Sequence, residues 1–504
     1  MKSNKLYLPL TVLILVSACI IPVSITPTSP APPTPVPPTA SSTAPSETAA
    51  AVSTYPPLQT AGPYLVYLRG SGAGQELVIL DADGNGRMTF PSPLTDASGD
   101  VSFIPPLADL VSPDGKWLAY YTGSARQASD LALNLMSLAD GSTRLVTRLL
   151  SADYPGNFTE AAAELGQDNT AESLQEAFLA GITRSIAWSP DGRYLAFAGQ
   201  MDGTSSDLYV YDSQSETVKR LSSGSEQVQW IDWSPDGERI VNGSTLWVGM
   251  GMSFNIFATS PDGSVVKSLS NSTTGIATWL DDHTYLEYDS ENGPGDHDLR
   301  AVDILTGSAR KLWNGSFQSY AVDPTNGLLA VSGITDPNQW TGSLYLTRLA
   351  GGQQTRIQDG AWNVTAFVLG GRSFYAERAD GSGEAYFLAA DGTLTSASVM
   401  PGRFSVAPDG SHWISVSGGR LQVYDADDNL VREMSLPVEP SDNLDGMIWR
   451  VDGSGLLLGF YQGSYPYNIS SYSLVSADVG SGKAFLVDQE AWMLPGFLWV
   501  SNGN

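Results

Sequence analysis

Residues 188–197 read WSPDGRYLAF, and the phrase returns along the chain. Residues 233–242 read WSPDGERIVN and 111–120 read VSPDGKWLAY. Weaker copies stand at 279–288 (WLDDHTYLEY), 322–331 (VDPTNGLLAV), 406–415 (VAPDGSHWIS) and 449–458 (WRVDGSGLLL). Trp188 and Trp233 lie 45 positions apart, and Trp233 and Trp279 lie 46 apart. A fixed period of roughly 40–45 residues is the sequence mark of a β-propeller blade.

The chemistry of the unit explains why it repeats. In Ser-Pro-Asp-Gly, Pro presets φ, Asp bonds nearby backbone and Gly accepts positive φ, which together make a tight turn. The runs on either side, Arg184–Trp188 and Tyr194–Ala198, are short, apolar and rich in aromatic or branched residues, as strands are. Turn and flanks form the hairpin of a blade's two inner strands. The Trp ahead of the turn wedges against the neighbouring blade, because one small sheet cannot bury its faces alone. Asp191 and Asp236 recur at the same turn, so they read as turn devices rather than catalytic acids.

The pattern W-S-P-D-G-x-x-[IL]-[AV]-[FY], followed by a strand and D-x-x-G, resembles the TolB-type WD40-like propeller repeat, also found in the propellers of prolyl-oligopeptidase relatives. The resemblance covers roughly residues 64–501. It implies an all-β fold, a single large propeller, and leaves function open, since such propellers serve binding and enzymatic roles alike. Inner-hairpin turns fall near 113, 190, 235, 281, 324, 370, 408 and 452. The first unit, from Tyr64, lacks such a hairpin, and Pro495–Ser501 supplies a run with Trp499 but no following strand. Pairing the two closes the ring and makes nine blades. The copy near 370 has only Gly370 and Gly371 as turn signal, so eight blades stays open.

Ahead of the ring the chain has another character. Lys2 and Lys5 precede the apolar run Leu6–Val16, which is too short to span a bilayer as a mature helix. Val16-Ser17-Ala18-Cys19 resembles a bacterial lipobox, and Cys19 is the only cysteine. The expectation is a lipoprotein signal peptide at 1–19, with a lipid anchor on Cys19 at the extracytoplasmic face of the cell envelope; an ordinary cleaved signal is the alternative. Residues 20–63 are rich in Pro, Thr and Ser and read as a disordered tether that reaches on the order of 100 Å. The propeller takes 64–504. One insertion breaks its rhythm at about 150–183, where Asn169–Glu172 resembles a capping box and Leu174, Ala177 and Phe178 share a face. It reads as helical, either a lid on a blade or a docking element.

The 26 Lys and Arg against 53 Asp and Glu give a net charge of −27, which argues against nucleic acid and anionic lipid. No G-x-S-x-G motif occurs. Three histidines, His283, His297 and His412, are too few for a multi-histidine metal centre. No catalytic residue is assigned and no cofactor is expected, with calcium as the one candidate ion. Asp81, Asp83 and Asn85 match the first half of a calcium loop, but Ser92 stands where the full loop needs Glu, and an ordinary turn fits as well. Asp289, Glu291, Asp296, His297 and Asp298 form a denser acidic loop, able to hold a hard cation or to remain a solvated loop.

The short, alike Ser-Pro-Asp-Gly turns mark their face of the ring as structural. The opposite face carries the variable loops, with Trp247, Trp340, Tyr465, Tyr467 and Trp492 among Gly and Asn. Aromatics on loops over a rigid scaffold suit binding. The sequence thus reads as a lipid-anchored binding module for an envelope or extracellular protein, a peptide or a glycan. The alternative is an enzyme acting on polysaccharide or peptide through the acidic loops.

Overall fold

The computed structural model describes residues 62–70, 74–92, 105–123, 131–150, 182–202, 205–223, 226–248, 251–270, 276, 278–289, 298–336, 341–397, 403–440, 442–464, 468–491 and 497–500. Their strands form nine antiparallel sheets, eight of four strands and one of three. Each sheet is a blade. Blade 1 joins Phe497–Val500 to Tyr64–Arg69, Glu76–Asp81 and Arg87–Pro91. Blade 2 holds Trp117–Thr122, Ala132–Ser137 and Thr143–Arg148; blade 3 holds Ile186–Trp188, Tyr194–Gly199, Asp207–Asp212 and Thr217–Arg220. Blade 4 is Gln227–Trp233, Ile240–Val248, Gly251–Thr259 and Val266–Ser270; blade 5 is Thr278–Trp279, Thr284–Asp289, Asp298–Asp303 and Ala309–Trp313. Blade 6 is Phe317–Asp323, Leu328–Asp336, Thr341–Arg348 and Thr355–Asp359; blade 7 is Trp362–Leu369, Arg372–Arg378, Ala385–Ala389 and Leu394–Ser396. Blade 8 is Arg403–Val406, Trp413–Ser417, Arg420–Tyr424 and Leu430–Ser435; blade 9 is Asn443–Trp449, Gly455–Ser464, Asn468–Asp478 and Lys483–Asp488. The choice between eight and nine blades resolves to nine.

First strands of neighbouring blades touch one another, as Ile186–Trp188 does Gln227–Trp233 and Phe317–Asp323 does Trp362–Leu369, so they line the axis. Fourth strands such as Thr355–Asp359 and Leu430–Ser435 are largely exposed at the rim. The second and third strands are buried on both faces, because each blade is sandwiched by two others. Leu195, Phe197, Tyr209 and Tyr211 of blade 3 share one apolar cluster with Leu133 and Leu135 of blade 2 and Val66 and Ile79 of blade 1.

The turn works as its residues dictate. Ser189 Oγ donates to Asp191 Oδ1 at 2.6 Å and accepts from the Tyr194 N–H at 2.8 Å, and Gly192 sits at φ 71°. Ser112–Asp114 and Ser234–Asp236 repeat the lock. The same four residues at Ser260–Gly263 lock the turn between the third and fourth strands of blade 4.

The repeat Trp does more than wedge. Trp188 and Trp233 are buried, at 7% and 4% exposure. Trp188 Nε1 donates to the Leu110 carbonyl (2.9 Å), Trp233 Nε1 to the Ala187 carbonyl (3.0 Å), Trp279 Nε1 to Asp232 Oδ2 (3.1 Å) and Trp449 Nε1 to Ser405 Oγ (2.9 Å). Each acceptor residue stands just ahead of the equivalent position in the preceding blade. The Trp therefore latches each blade to the one before it.

Two local features need comment. The run ahead of the turn in blade 2 is a one-turn helix, Leu107–Leu110, and not the expected inner strand; only a bridge between Val111 and Leu118 remains of that hairpin. Pro105 and Pro106 explain it: neither has an N–H to give a ladder, and the second opens a helix readily. Of the expected helical insertion at 150–183, Leu150 bridges Gln200 and residues 182–184 have helical backbone, while 151–181 lie outside the described residues.

Closure is as the sequence requires. Tyr64, Leu65, Val66 and Tyr67 pair antiparallel with Val500, Trp499, Leu498 and Phe497. A buried polar cluster backs the seam between blades 9 and 1. Tyr67 donates to Asp488 Oδ2 at 2.8 Å, and Arg69 and Arg87 reach the same carboxylate at 3.2 and 3.5 Å. Burial and the Asp488 charge push the Tyr67 phenol far above its usual range. The expected signal peptide, Cys19 and residues 20–61 of the expected tether lie outside the described residues. Among the described residues no helix is long and apolar enough to cross a membrane.

Candidate functional site

In an antiparallel blade, the turns joining strands one to two and three to four lie at one end of the ring. The two-to-three hairpins and the blade-to-blade connections lie at the other. That second end is the loop face, and its hairpins are uneven. In blade 4 the first strand pairs only as far as Gln227 with Thr245, whereas the second and third continue to Val248 and Gly251. Blade 6 does the same beyond Phe317–Gly333, out to Asp336–Thr341. So does blade 9 beyond Asn443–Tyr461, out to Ser464–Asn468. Each overhang is three residues long, or about 10 Å of strand. In blade 5 the second and third strands run out to the pair Asp289–Asp298.

These projecting hairpins carry the residues singled out from the sequence. Trp247 stands in the blade 4 overhang, paired in register with Met252, with its side chain outside the described residues. Trp340 falls in the blade 6 hairpin connection, and Glu291, Asp296 and His297 in that of blade 5; all four lie outside the described residues, as does the side chain of Asp289. Tyr465 and Tyr467, in the blade 9 connection, and Trp492, between blades 9 and 1, also lie outside them. The chain path thus assigns the candidates to two sectors of one face. Trp247, the acidic loop and Trp340 belong to the consecutive blades 4, 5 and 6; the tyrosines and Trp492 belong to blade 9 and its exit.

The described acidic candidates are engaged within the blades. Asp298 is buried, pairs with Lys311 Nζ and accepts the Gly315 N–H at 3.2 Å. Asp207 at the equivalent position of blade 3 pairs with Arg220 at 2.6 Å, although burial still pushes its carboxyl upward. This carboxylate is a recurring lock between third and fourth strands. Asp81, Asp83 and Asn85 belong to the opposite, turn face. Asp83 accepts the Asn85 backbone N–H at 3.0 Å and its side-chain amide at 2.9 Å. Asp81 is buried at the strand end where Asp212, Asp303 and Asp478 hold the N–H groups of their own turns. Among the described residues no three metal-binding side chains gather.

Sequence reading missed three carboxylates. Asp232, on the first strand of blade 4, accepts the Trp233 N–H at 2.8 Å and the Trp279 indole at 3.1 Å, and burial pushes its carboxyl up. Asp109, on the helix of blade 2, is pushed up by crowding and then by the Asp232 charge. The Asp109 side chain is exposed, and its helix packs against Ile186–Trp188 and Phe497–Val500. Glu226, at the entry to blade 4 on the loop face, accepts from Asn255 Nδ2 at 3.1 Å and is raised by burial. A legible signal existed for Asp232: it directly precedes a repeat Trp, the position to which the next blade's indole is aimed.

On the turn face a hydroxyl, an imidazole and a carboxylate meet at Asp409, Ser411 and His412. Both Asp409 and His412 Nδ1 contact the serine, at 2.7 Å for the carboxylate. In a hydrolytic triad the carboxylate holds the imidazole's other nitrogen. Here it takes the hydroxyl proton, and His412 Nε2 is buried without a hydrogen bond. The trio is turn chemistry.

Against known proteins, residues 173–272, which cover blade 3 and blade 4, match the family described as eukaryotic translation initiation factor eIF2A. A stretch of 68 residues is 37% identical to an uncharacterized peptidase, YuxL, of Bacillus subtilis (strain 168), and the match spans 14% of this chain and 10% of that protein. A crystal structure of the eukaryotic initiation factor is similar with a TM-score of 0.51 at 13% identity, over 88% of this chain and 99% of that one. TolB from Acinetobacter baumannii is similar at 20% identity over 59% of this chain and 64% of its own, with a TM-score of 0.29. The initiation-factor likeness speaks for the fold: a single large propeller accounts for the chain from blade 1 to blade 9.

Proposed function

We propose that the protein is a binding module whose contact surface is the loop face of blades 4, 5 and 6. The observation that supports this is the set of overhanging hairpins. They extend past the first strands on a rigid ring, and their tips hold Trp247, the acidic stretch 289–298 and Trp340. Indole rings bring large apolar area with few rotatable bonds, which suits stacking on a sugar ring or gripping a peptide side chain. The carboxylates between them favour a ligand with amino or cationic groups, or one bridged by calcium. Tyr465, Tyr467 and Trp492 form a second, smaller contact at blade 9.

The setting is the extracytoplasmic side of a bacterial envelope, with the ring held by lipid on Cys19 and the Pro-rich tether. Palmitate labelling that is lost in Cys19→Ser supports the anchor, and labelling that persists refutes it. The binding reading is tested by capture on peptide and glycan arrays, then titration of the captured ligand. Trp247→Ala and Trp340→Ala should each weaken binding tenfold or more and leave the melting temperature unchanged. Equal affinity in both variants refutes the assignment of the face. A second reading, an enzyme acting on peptide or polysaccharide, draws on the short likeness to a peptidase. Mass spectrometry of the incubated ligand separates the two: cleavage products favour the enzyme, an intact ligand the module.

A further inference from the structure

We propose that the loop-face half of the seam between blades 3 and 4 is a subsite for one sugar unit of a neutral glycan; this rests on the loop face being the binding surface. Second strands present side chains to the blade before them. Blade 9 sets Leu456, Leu458 and Phe460 against blade 8, and blade 3 sets Leu195 and Phe197 against blade 2. The same repeat positions of blade 4 hold Ile240, Asn242 and Ser244. Ile240 still packs with Ala196, Ala198, Leu208 and Val210 of blade 3. Asn242 and Ser244 share its face, because side chains alternate along a strand, and they are 2% and 4% exposed. Asn242 Nδ2 donates to Ser244 Oγ at 3.0 Å.

The polar lining continues to the loop face. Asn255 pairs in register with Ser244, so it stands on the same side of the sheet, and its Nδ2 donates to Glu226 Oε1 at 3.1 Å. Across the seam stands Ser206, which alternates onto the face of Leu208 and Val210; its carbonyl accepts the Val228 N–H of blade 4 at 2.9 Å. Ser206 is 3% exposed, and its Oγ has no hydrogen-bond partner among the described residues. A buried hydroxyl left unpaired is costly to a fold, so its presence in an interior seam calls for a use. Ser206, Asn242, Ser244, Asn255 and Glu226 together offer hydroxyls, amides and one carboxylate, and none of the five is a cation. A sugar hydroxyl is the group that donates to such a carboxylate and accepts from such amides at once. An apolar peptide side chain matches none of them, and an anionic sugar finds no counter-charge among them. Ser244 leads directly into the overhang that carries Trp247.

Calorimetric titration of the full chain with cellohexaose, chitohexaose and maltohexaose tests this. At least one should bind saturably. Asn255→Ala and Ser206→Ala should each weaken that binding by about tenfold or more, as loss of a buried hydrogen-bond partner does. A hydroxyl kept for a ligand and not for the fold has a second signature: without glycan, Ser206→Ala should melt no more than about 1 °C below wild type, or above it. The proposal is overturned if none of the three glycans binds, if either substitution leaves glycan affinity unchanged, or if Ser206→Ala melts lower than that margin. The loop-face reading stands through all of these where Trp247→Ala still weakens a captured ligand. Conversely, glycan binding that falls in Asn255→Ala and Ser206→Ala but not in Trp247→Ala or Trp340→Ala supports the seam and overturns the face of blades 4, 5 and 6.

Discussion

At the scale of the residue, the repeat Trp carries the most weight. It buries an indole between blades and spends its one polar group on the preceding blade, so a single side chain serves both burial and orientation. Trp233→Ala should cost about 3–5 kcal/mol, the usual loss for a buried large aromatic. Trp233→Phe should keep most of the packing and cost about 1 kcal/mol for the hydrogen bond to the Ala187 carbonyl; urea unfolding checks both. Asp232 gives a pH signature. Its carboxyl is raised in the fold, so the ionised form is disfavoured there relative to the unfolded chain. Wild-type stability therefore rises, relative to Asp232→Asn, as pH falls through the raised value. Asn retains an oxygen for the Trp279 indole. Asp232→Asn should melt higher than wild type at pH 7, and the gap should close near pH 4. A gap of the same size at both pH values contradicts the account.

At the scale of the element, tight turns and alternating apolar runs were legible because Ser, Pro, Asp and Gly each fix one backbone property. All eight expected turns, from the one near 113 to the one near 452, sit where the phrase places them, and seven of them close a two-stranded hairpin, the one near 113 following a helix. The helix Leu107–Leu110 was not read, because the prolines that exclude a strand lie ahead of the phrase and not inside it. The candidate site was legible as a face and not as a pocket: Trp247 and Trp340 stand out by their company of Gly and Asn, but only strand register shows that their hairpins overhang. Asp298 was misleading for a physical reason. Its loop is acidic, yet its repeat position makes it the partner of Lys311. The polar cluster at the seam belongs to this scale too. Asp488 is 6% exposed by side chain and holds Arg69, Arg87 and the Tyr67 hydroxyl. Asp488→Asn leaves two guanidinium groups beside a neutral amide. It should cost about 2–3 kcal/mol, at the low end for a broken buried pair because Arg69 is partly exposed. Chemical denaturation of the variant checks it.

At the scale of the molecule, the chain carries a net charge of −27, which works against close approach to a polyanion. Nine sheets pack side by side, and closure pairs the first strand of blade 1 with its second although they come from opposite ends of the described chain. That closure is the central claim, because it joins Tyr64–Tyr67 to Phe497–Val500 across more than 400 positions and fixes the count of nine. The most direct measurement is the thermal unfolding of a chain that lacks residues 497–504. The account predicts that the whole transition moves down by about 10 °C or more, or loses cooperativity, since blade 1 then has three strands and blade 9 an open flank. A truncated chain that melts in the same single transition as the full one would contradict closure.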